Sequence, residues 1–262
     1  MPRYEIEVIH KAVSVLRVLA DSETECGASE IARRIGLGRS STFRLLYTLQ
    51  QEGMVRQDPH TRRYRLGPEL SVLGRAASDQ FELRREARPH MEALTAQTGL
   101  PTFLNVPGTH DVICVEHVTS LNTIELYGRV GHTLPYHACP SGYVLLAYGP
   151  SDRLDRALAS RLPTFGPNTP DAESLLRIVA DTRSRGYASA RDDLEEGVSS
   201  LAVPITDPTG ETIAALGIAG FSHLVDPRLD DLAAKLQATA RAISASSSPP
   251  VPPPTERPGN VP

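Results

Sequence analysis

The sequence predicts an α+β protein in two parts, an N-terminal winged helix-turn-helix and a larger region of mixed helices and strands. Two observations predict this. Between Ala28 and Arg65, two short helical patterns on a tight turn precede an arginine-rich hairpin pattern. Beyond Phe81, helical and strand-like segments alternate with short connections. At 262 residues, the chain is long enough for one small and one larger core.

Two amphipathic helices separated by a glycine-containing turn form the first predicted unit. Ile31, Ala32 and Ile35 fall on one face of a short helix, which Gly36-Leu37-Gly38 interrupts. A second helix is expected from Ser40 to about Glu52. Its buried stripe is assigned to Phe43, Leu45, Leu46 and Leu49, and its outward side to Arg39, Ser40, Ser41, Arg44, Tyr47 and Thr48.

A basic hairpin is expected next. The stretches 54–57 and 62–66 flank a turn at Asp58-Pro59-His60, and the return strand carries three arginines. A polar helix beside such a wing fits DNA, because the helix can enter a major groove while wing arginines reach phosphates or the minor groove. The alternatives are an ordinary helical pair, a solvated hairpin, an Arg44 that binds a carboxylate within the domain, and a Thr42 that is packed inside. The residues predicted to contact DNA are Arg39, Ser40, Ser41, Thr42, Arg44, Arg62, Arg63 and Arg65.

A linker helix is predicted after the wing. Gly67-Pro68 is a helix-start signal, and Leu66, Leu70, Leu73 and Ala77 follow at coiled-coil-like spacing. The seam can pack on its own domain or form a dimer contact. We favour the dimer contact, because one reading head of this size contacts too few base pairs for useful specificity.

The region after Phe81 is expected to hold strands and helices in a meander-like order. Asp226 is predicted to cap the last helix, with Pro227 in its first turn. From Ser246 onward Ser and Pro dominate, which predicts a disordered tail. Helices are predicted at 82–98, 141–148, 151–160, 171–185 and 226–244, and strands at 102–106, 112–118, 124–127, 187–190, 201–205 and 212–219.

Composition excludes several classes of protein. No apolar run is long enough to span a bilayer and no signal-peptide pattern is visible, so a cytoplasmic protein without a membrane partner is expected. The three cysteines and eight histidines are scattered, so no disulfide framework, metal site or cofactor is expected. The net charge of −4 is polarised. Through Arg75 there are 12 Lys and Arg residues against nine Asp and Glu, whereas the remainder carries 15 against 22.

The chain resembles the IclR family of bacterial transcription regulators over about residues 8–246. The resemblance implies a GAF-like C-terminal effector domain with an antiparallel sheet, and assembly into homodimers or dimers of dimers. It implies these boundaries: 1–67 for the DNA-binding domain, 68–80 for the linker helix, 81–246 for the effector domain and 247–262 for the tail. The motifs that carry the resemblance are Ser41-Thr42-Phe43-Arg44-Leu45-Leu46, Tyr64-Arg65-Leu66-Gly67, Leu134-Pro135-Tyr136-His137-Ala138 before Gly142, Arg185-Gly186-Tyr187, Glu196-Gly197-Val198 and Ala202-Val203-Pro204.

The resemblance also implies an effector pocket, built from three parts of the C-terminal domain. Ser141 and Gly142 begin a helix whose free N–H groups favour a carboxylate or phenolate, and the alternative is that Ser141 only caps this helix. Tyr143 stands where relatives carry lysine, and Pro140 removes one N–H donor. The pocket residues carried over by position are Cys139, Pro140, Ser141, Asp192, Val198, Ser200, Gly217 and Ala219.

Because small apolar residues occupy positions that are often polar in relatives, we expect the pocket to accept an aromatic or branched acid or a lactone-like ligand better than glyoxylate or pyruvate. The sequence as a whole therefore predicts a ligand-responsive regulator, a repressor, whose partners are operator DNA and a small effector. Two alternatives are a DNA-binding architectural protein that senses nothing and an enzyme in the C-terminal domain. No Ser-His-Asp order with a nucleophile elbow occurs, so no catalytic residue is assigned.

Overall fold

The structure is a computed structural model that describes residues 6–22, 24–79, 82–120 and 129–246. The predicted strand at 124–127 and the predicted disordered tail lie outside these residues. The chain divides into two compact units between Gln80 and Phe81. Among the described helices, none combines the length and the apolar character that crossing a membrane requires.

The N-terminal unit is a three-helix core with a small hairpin. Its core consists of apolar side chains from all three helices and the hairpin, including Val15, Ile31, Leu46, Val55 and Tyr64. The sequence analysis did not identify the first helix. The elements are α1 (Glu7–Ala20), α2 (Ala28–Ile35), α3 (Arg39–Gln51), β1 (Val55–Gln57), β2 (Tyr64–Leu66) and α4 (Glu69–Asp79).

The helix-turn-helix is confirmed, but the buried face of α3 differs from the predicted one. Thr42, Leu46 and Leu49 are buried, whereas Phe43 is exposed. The assignment of Phe43 to the buried stripe is therefore wrong. The spacing of Thr42, Leu46 and Leu49 is four and then three residues, which places all three on one face of a helix. Between the helices Gly36 adopts a left-handed conformation with φ 69° and ends α2.

The wing is an antiparallel hairpin fastened to the helical core. Arg56 pairs with Arg65, and both side chains are exposed. Asp58 organises the turn, because its Oδ1 accepts hydrogen bonds from the N–H groups of His60 and Thr61 at 2.9 and 2.7 Å. These two backbone hydrogen bonds lower the pKa of the Asp58 carboxyl.

The C-terminal unit is built on a six-stranded antiparallel sheet. The strand order is β5-β4-β3-β8-β7-β6, and every neighbouring pair is antiparallel. The sheet strands are β3 (Thr102–Pro107), β4 (Asp111–Val118), β5 (Thr133–Pro135), β6 (Ala188–Arg191), β7 (Val198–Thr206) and β8 (Thr212–Phe221). The helices are α5 (Glu82–Thr98), α6 (Pro140–Tyr148), α7 (Ser151–Ala159), α8 (Ala172–Arg185), α9 (Ser222–Val225) and α10 (Leu229–Ser246).

Helices cover both faces of the sheet because apolar residues in the central strands alternate between two cores. Leu216 and Ile218 belong to the cluster that includes α5 and α10. Ala215, which precedes Leu216 and so faces the other side of the sheet, belongs to the cluster formed with α6 and α8. Small residues on this second face let α6 lie close to the sheet. The α+β fold class is therefore confirmed.

Two C-terminal elements differ from the prediction. The short strand β5 was not predicted. Asp226 does not cap the last helix: residues 226–228 form a 3-10 turn after α9, and α10 begins at Leu229. The Asp226 carboxylate instead pairs with Arg191, with 3.0 Å between Oδ2 and Nη1.

The corrected face of α3 yields a stability prediction. Leu46 is fully buried, so Leu46→Ala should lower the free energy of unfolding by about 2–5 kcal/mol. Phe43→Ala should change it by no more than about 0.5 kcal/mol, because the ring is 55% exposed. Chemical denaturation of the full chain, followed by circular dichroism, measures both. A larger loss of unfolding free energy for Phe43→Ala than for Leu46→Ala would show that Phe43 belongs to the buried face after all.

Candidate DNA-reading face and ligand pocket

The outward face of α3 carries most of the helix residues predicted to contact DNA. Arg39, Ser40, Ser41 and Arg44 are all exposed. In the part of the chain that the structure describes, neither Arg39 nor Arg44 makes an ion pair with a carboxylate. Thr42 has to be removed from the set, because its side chain is fully buried and its Oγ1 donates to the Gly38 carbonyl at 3.1 Å. It positions the start of the helix.

The three wing arginines are not equivalent. Arg62 lies at the turn with φ 60° and an exposed side chain. Arg63 is directed back toward the helical core, where its Nε donates to the Glu25 carbonyl at 2.6 Å and its Nη2 lies 3.2 Å from Glu30 Oε2. Arg65 Nε is 3.7 Å from a Glu25 carboxylate oxygen. Arg63 therefore fastens the wing and is removed from the contact set, whereas Arg62 and Arg65 remain.

Three further exposed side chains, which were not among the predicted contact residues, lie on the same surfaces of α3 and the wing. Arg56 lies directly across the hairpin from Arg65, so the two guanidinium groups share the exposed face. The alternation of residues 54–57 in the predicted strand could have indicated that Arg56 is exposed. Phe43 and Tyr47 are exposed on α3, one turn apart.

A pocket lies between the sheet and the start of α6, and the space in it, including open solvent at its mouth, is about 650 Å³. Asp192 is the one residue of the predicted set that does not line it. The lining includes Cys139, Pro140, Ser141, Val198, Ser200, Gly217 and Ala219 from the predicted set, together with Phe103, Asn105, Cys114, His132, Leu134, Ala138, Ala190, Asp193, Leu194, Glu195, Leu201 and Ile218.

The first turn of α6 is held in place by side chains of the pocket. Cys139 caps the helix, because its Sγ accepts the Gly142 N–H at 3.3 Å. Burial raises the pKa of the Cys139 thiol to about 12, so the cap is a neutral thiol. Ser141 is not the cap: its Oγ accepts a hydrogen bond from Asn105 Nδ2 on β3 at 2.8 Å. This bond ties the helix start to the sheet.

The adjacent aspartates before β7 have different roles. Asp192 has φ 60°, and its Oδ1 accepts the Gly197 N–H at 2.7 Å, so it shapes the loop. Asp193 is buried in the pocket wall and accepts a hydrogen bond from the Tyr143 hydroxyl. Burial raises the pKa of the Asp193 carboxyl, although the bond from Tyr143 opposes this shift. Asp193 thus replaces Asp192 in the candidate site.

The pocket is mainly apolar, and its described charged groups are acidic. Asp193 and Glu195 belong to the lining, whereas no lysine or arginine does so among the residues described. Asn105, Ser141 and Ser200 supply neutral polar groups. An anion would be favoured by the positive N-terminal end of the α6 helix dipole. Fewer backbone N–H groups are free to bind it, because Pro140 has none and the Gly142 N–H already donates to the Cys139 thiol.

Comparison with known families agrees with both units. Residues 8–59 match the IclR helix-turn-helix domain, and residues 75–245 match the bacterial transcriptional regulator IclR C-terminal domain. The chain belongs to the IclR family. It is a DNA-binding transcriptional regulator with a C-terminal effector domain, so the resemblance seen in the motifs is confirmed. The matched families and relatives are regulators and not enzymes.

Three relatives cover nearly the whole chain. The glycerol operon regulatory protein of Streptomyces coelicolor is 33% identical over 242 residues, which are 91% of this chain and 95% of the relative. The HTH-type transcriptional regulator XynR of Escherichia coli is 30% identical over 242 residues, 91% and 96% of the two chains. The crystal structure of an IclR homolog from Microbacterium hydrocarbonoxydans, complexed with 4-hydroxybenzoate, is 30% identical with a TM-score of 0.71, covering 91% and 98%.

The buried Asp193 carboxyl should make stability depend on pH. Because the pKa of Asp193 is raised in the folded state, the protonated carboxyl favours folding at low pH. The free energy of unfolding therefore decreases as the pH rises from the ordinary pKa of the carboxyl to the raised one. Asp193→Asn removes this loss and keeps an acceptor for Tyr143. The variant should therefore melt above the wild type at neutral pH, and the gap should shrink on acidification.

Glu116 provides a control of opposite sign. Burial raises the pKa of its carboxyl, but hydrogen bonds and charge from Arg84, with contributions from His117 N–H and Arg88, lower it overall. Glu116→Gln should melt below the wild type at neutral pH, with a gap that narrows as pH falls through the lowered pKa. Melting curves over a pH series measure both. Parallel pH profiles for the wild type and Asp193→Asn would contradict the burial argument.

Proposed function

We propose that this regulator is a ligand-responsive repressor that binds double-stranded operator DNA as a homodimer and senses an aromatic metabolite. The observation that carries the proposal is the apolar pocket at the start of α6, because its lining combines apolar side chains with a few polar groups that can orient a small ligand. The DNA-binding domain is assigned to 1–67, the linker helix to 68–80, the effector domain to 81–246 and a tail to 247–262. The protein acts in the cytoplasm, where it meets DNA.

The pocket chemistry favours a ring over a short keto acid. Phe103, Leu134 and Val198 offer apolar contact, which a glyoxylate or pyruvate molecule cannot use. Asp193 and Glu195 would repel a ligand carboxylate placed beside them. A ligand hydroxyl that donates a hydrogen bond, such as a phenol, suits this wall of the pocket. A carboxylate or lactone oxygen of the ligand would lie toward the start of α6. The 4-hydroxybenzoate in the Microbacterium relative has this combination of groups.

Operator contact is assigned to the exposed polar residues of α3 and the wing. Arg39, Ser40, Ser41 and Arg44 would contact bases and phosphates in the major groove. The wing residues Arg56, Arg62 and Arg65 would contact the backbone or the minor groove. Their charge explains why the N-terminal part is basic although the chain is acidic.

Dimer formation is supported by the linker helix. On α4, Val72 and Leu73 are 59% and 47% exposed, which leaves apolar area that a second copy would cover. Two copies double the number of base pairs read. The proposal also includes the assembly of two such dimers into a symmetric dimer of dimers.

Repression and its relief follow from linkage. Occupancy of an operator that overlaps a promoter blocks transcription without any surface for contact with the polymerase. A ligand that binds one dimer arrangement better than another changes operator affinity by that difference alone. The architectural alternative has no such ligand, and the pocket argues against it.

A thermal-shift screen of the full-length protein tests the sensor. The library contains aromatic acids such as 4-hydroxybenzoate, short keto acids, amino acids and lactones. A ligand of the folded state raises the melting temperature by mass action, and we expect an aromatic compound to do so and to release operator DNA. Tight binding of pyruvate without any response to aromatic compounds would contradict the assigned ligand class. No response to any compound would support the ligand-independent alternative.

Filling the pocket should separate sensing from DNA binding. Ala219 is buried beside Phe103 and Cys114, so Ala219→Leu places three more carbon atoms in the pocket. The variant should lose the ligand-induced thermal shift and keep its operator affinity within about twofold, since about 0.4 kcal/mol corresponds to that factor. Ala172→Leu, the same change on the exposed first turn of α8, is the matched control. A full ligand response in Ala219→Leu would place the sensor elsewhere.

Arg44 and Arg62 should differ in what they read. Arg44→Ala should weaken binding to the preferred operator by about 1–3 kcal/mol and relax specificity at one base pair, as expected for a base contact. Arg62→Ala should weaken all sequences about equally and reduce the salt dependence. Binding titrations with matched and mutated duplexes at several salt concentrations measure this. Unchanged binding by Arg44→Ala would remove it from the contact set.

A further inference from the structure

An exposed aromatic pair lies on the reading helix. Phe43 is 55% exposed and Tyr47 is 58% exposed, and a spacing of four residues makes them neighbours on the α3 surface. Aromatic residues are only 5% of the chain, with five phenylalanines in all. Contiguous exposed apolar surface marks sites of interaction, and two adjacent aromatic side chains form such a surface. The pair is therefore a candidate contact surface.

The charge around the pair identifies that partner as nucleic acid. Arg44 follows Phe43 directly, and Arg39 lies on the preceding turn, both exposed. A basic rim excludes a basic partner surface and fits a polyanion. The exposed side of α3, which flanks the buried face of Thr42, Leu46 and Leu49, thus offers cations for phosphates or guanine together with the Phe43 ring.

We propose that Phe43 packs on the 5-methyl group of thymine in the major groove and so determines operator sequence at that base pair. The thymine methyl is the apolar group that projects from base edges in this groove, and phenylalanine is a suitable contact for it. Tyr47 extends the same apolar surface one turn along. The inference rests on the proposed operator binding and adds the base that is read.

The test removes single methyl groups from DNA. An operator is first selected from random duplexes with the full-length protein, and each thymine is then replaced in turn by deoxyuridine, which lacks only the methyl. At constant salt, the wild type should lose about three- to fivefold in affinity at one or two positions per half-site, the effect of burying about one methyl group. Phe43→Ala should bind the thymine and uracil duplexes equally.

Two controls keep the result specific. Phe43→Leu retains an apolar side chain and should retain part of the methyl effect. Arg62→Ala, in the wing, should bind more weakly but keep the full effect. Because Phe43 is outside the core, all variants should melt near the wild type.

Two outcomes would overturn the inference. One is a wild type that binds every uracil duplex as well as the thymine duplex, and the other is a Phe43→Ala variant that keeps the full methyl effect. If that variant also changes its molecular mass in solution, the ring lies at a contact between copies. Failure to select any operator would count against DNA reading itself, whereas a selected operator without a methyl effect would overturn only the role of Phe43.

Discussion

The C-terminal unit depends on the close approach of the first turn of α6 to the loop before it. A Cβ atom on Gly142 would overlap the carbonyl oxygen of Tyr136, so only glycine allows the helix to begin here. From this position Ser141 reaches Asn105 on the sheet, and the buried Tyr143 hydroxyl reaches both the His137 carbonyl and Asp193. Three walls of the pocket are thereby joined by hydrogen bonds, and the space left between them is the proposed ligand site. The shape of the site thus follows from one backbone contact.

Periodicity predicted which segments are helices and strands, but it could not assign every side chain to a face. Thr42 is buried because its hydroxyl donates to the carbonyl of the preceding turn, and this satisfies the group without water. That leaves Phe43, a more apolar residue, on the outside. Asp192 and Asp193 are adjacent residues of the same type, so the sequence does not show which of them faces the pocket. The left-handed backbone at Asp192 is associated with the turn that places Asp193 in the pocket wall. Cys139 acts as a helix cap, for which Ser141 was the better candidate by residue type.

The two units carry opposite electrostatic characters. On α3, Arg39 and Arg44 have no carboxylate partner among the described residues and lie beside small polar groups, whereas the pocket wall carries Asp193 and Glu195 in mainly apolar surroundings. Arg63 shows that basic residues in a wing are not all available to DNA, because ion pairs and hydrogen bonds to the core can take them up. In the proposed dimer, a modest number of placed contacts, present twice, accounts for specificity better than bulk charge does. The proposed ligand control requires only that two arrangements of that dimer differ in their affinity for the ligand.

In the proposed mechanism, the pocket ligand and the operator are coupled through the protein. The most direct test measures the Kd of the aromatic compound that raises the melting temperature most, first with free protein and then with operator-saturated protein. Because coupling free energy is reciprocal, operator should weaken ligand binding by the same factor by which the ligand weakens operator binding. Equal ligand affinity in the two states would show that the pocket and the DNA-reading face are independent.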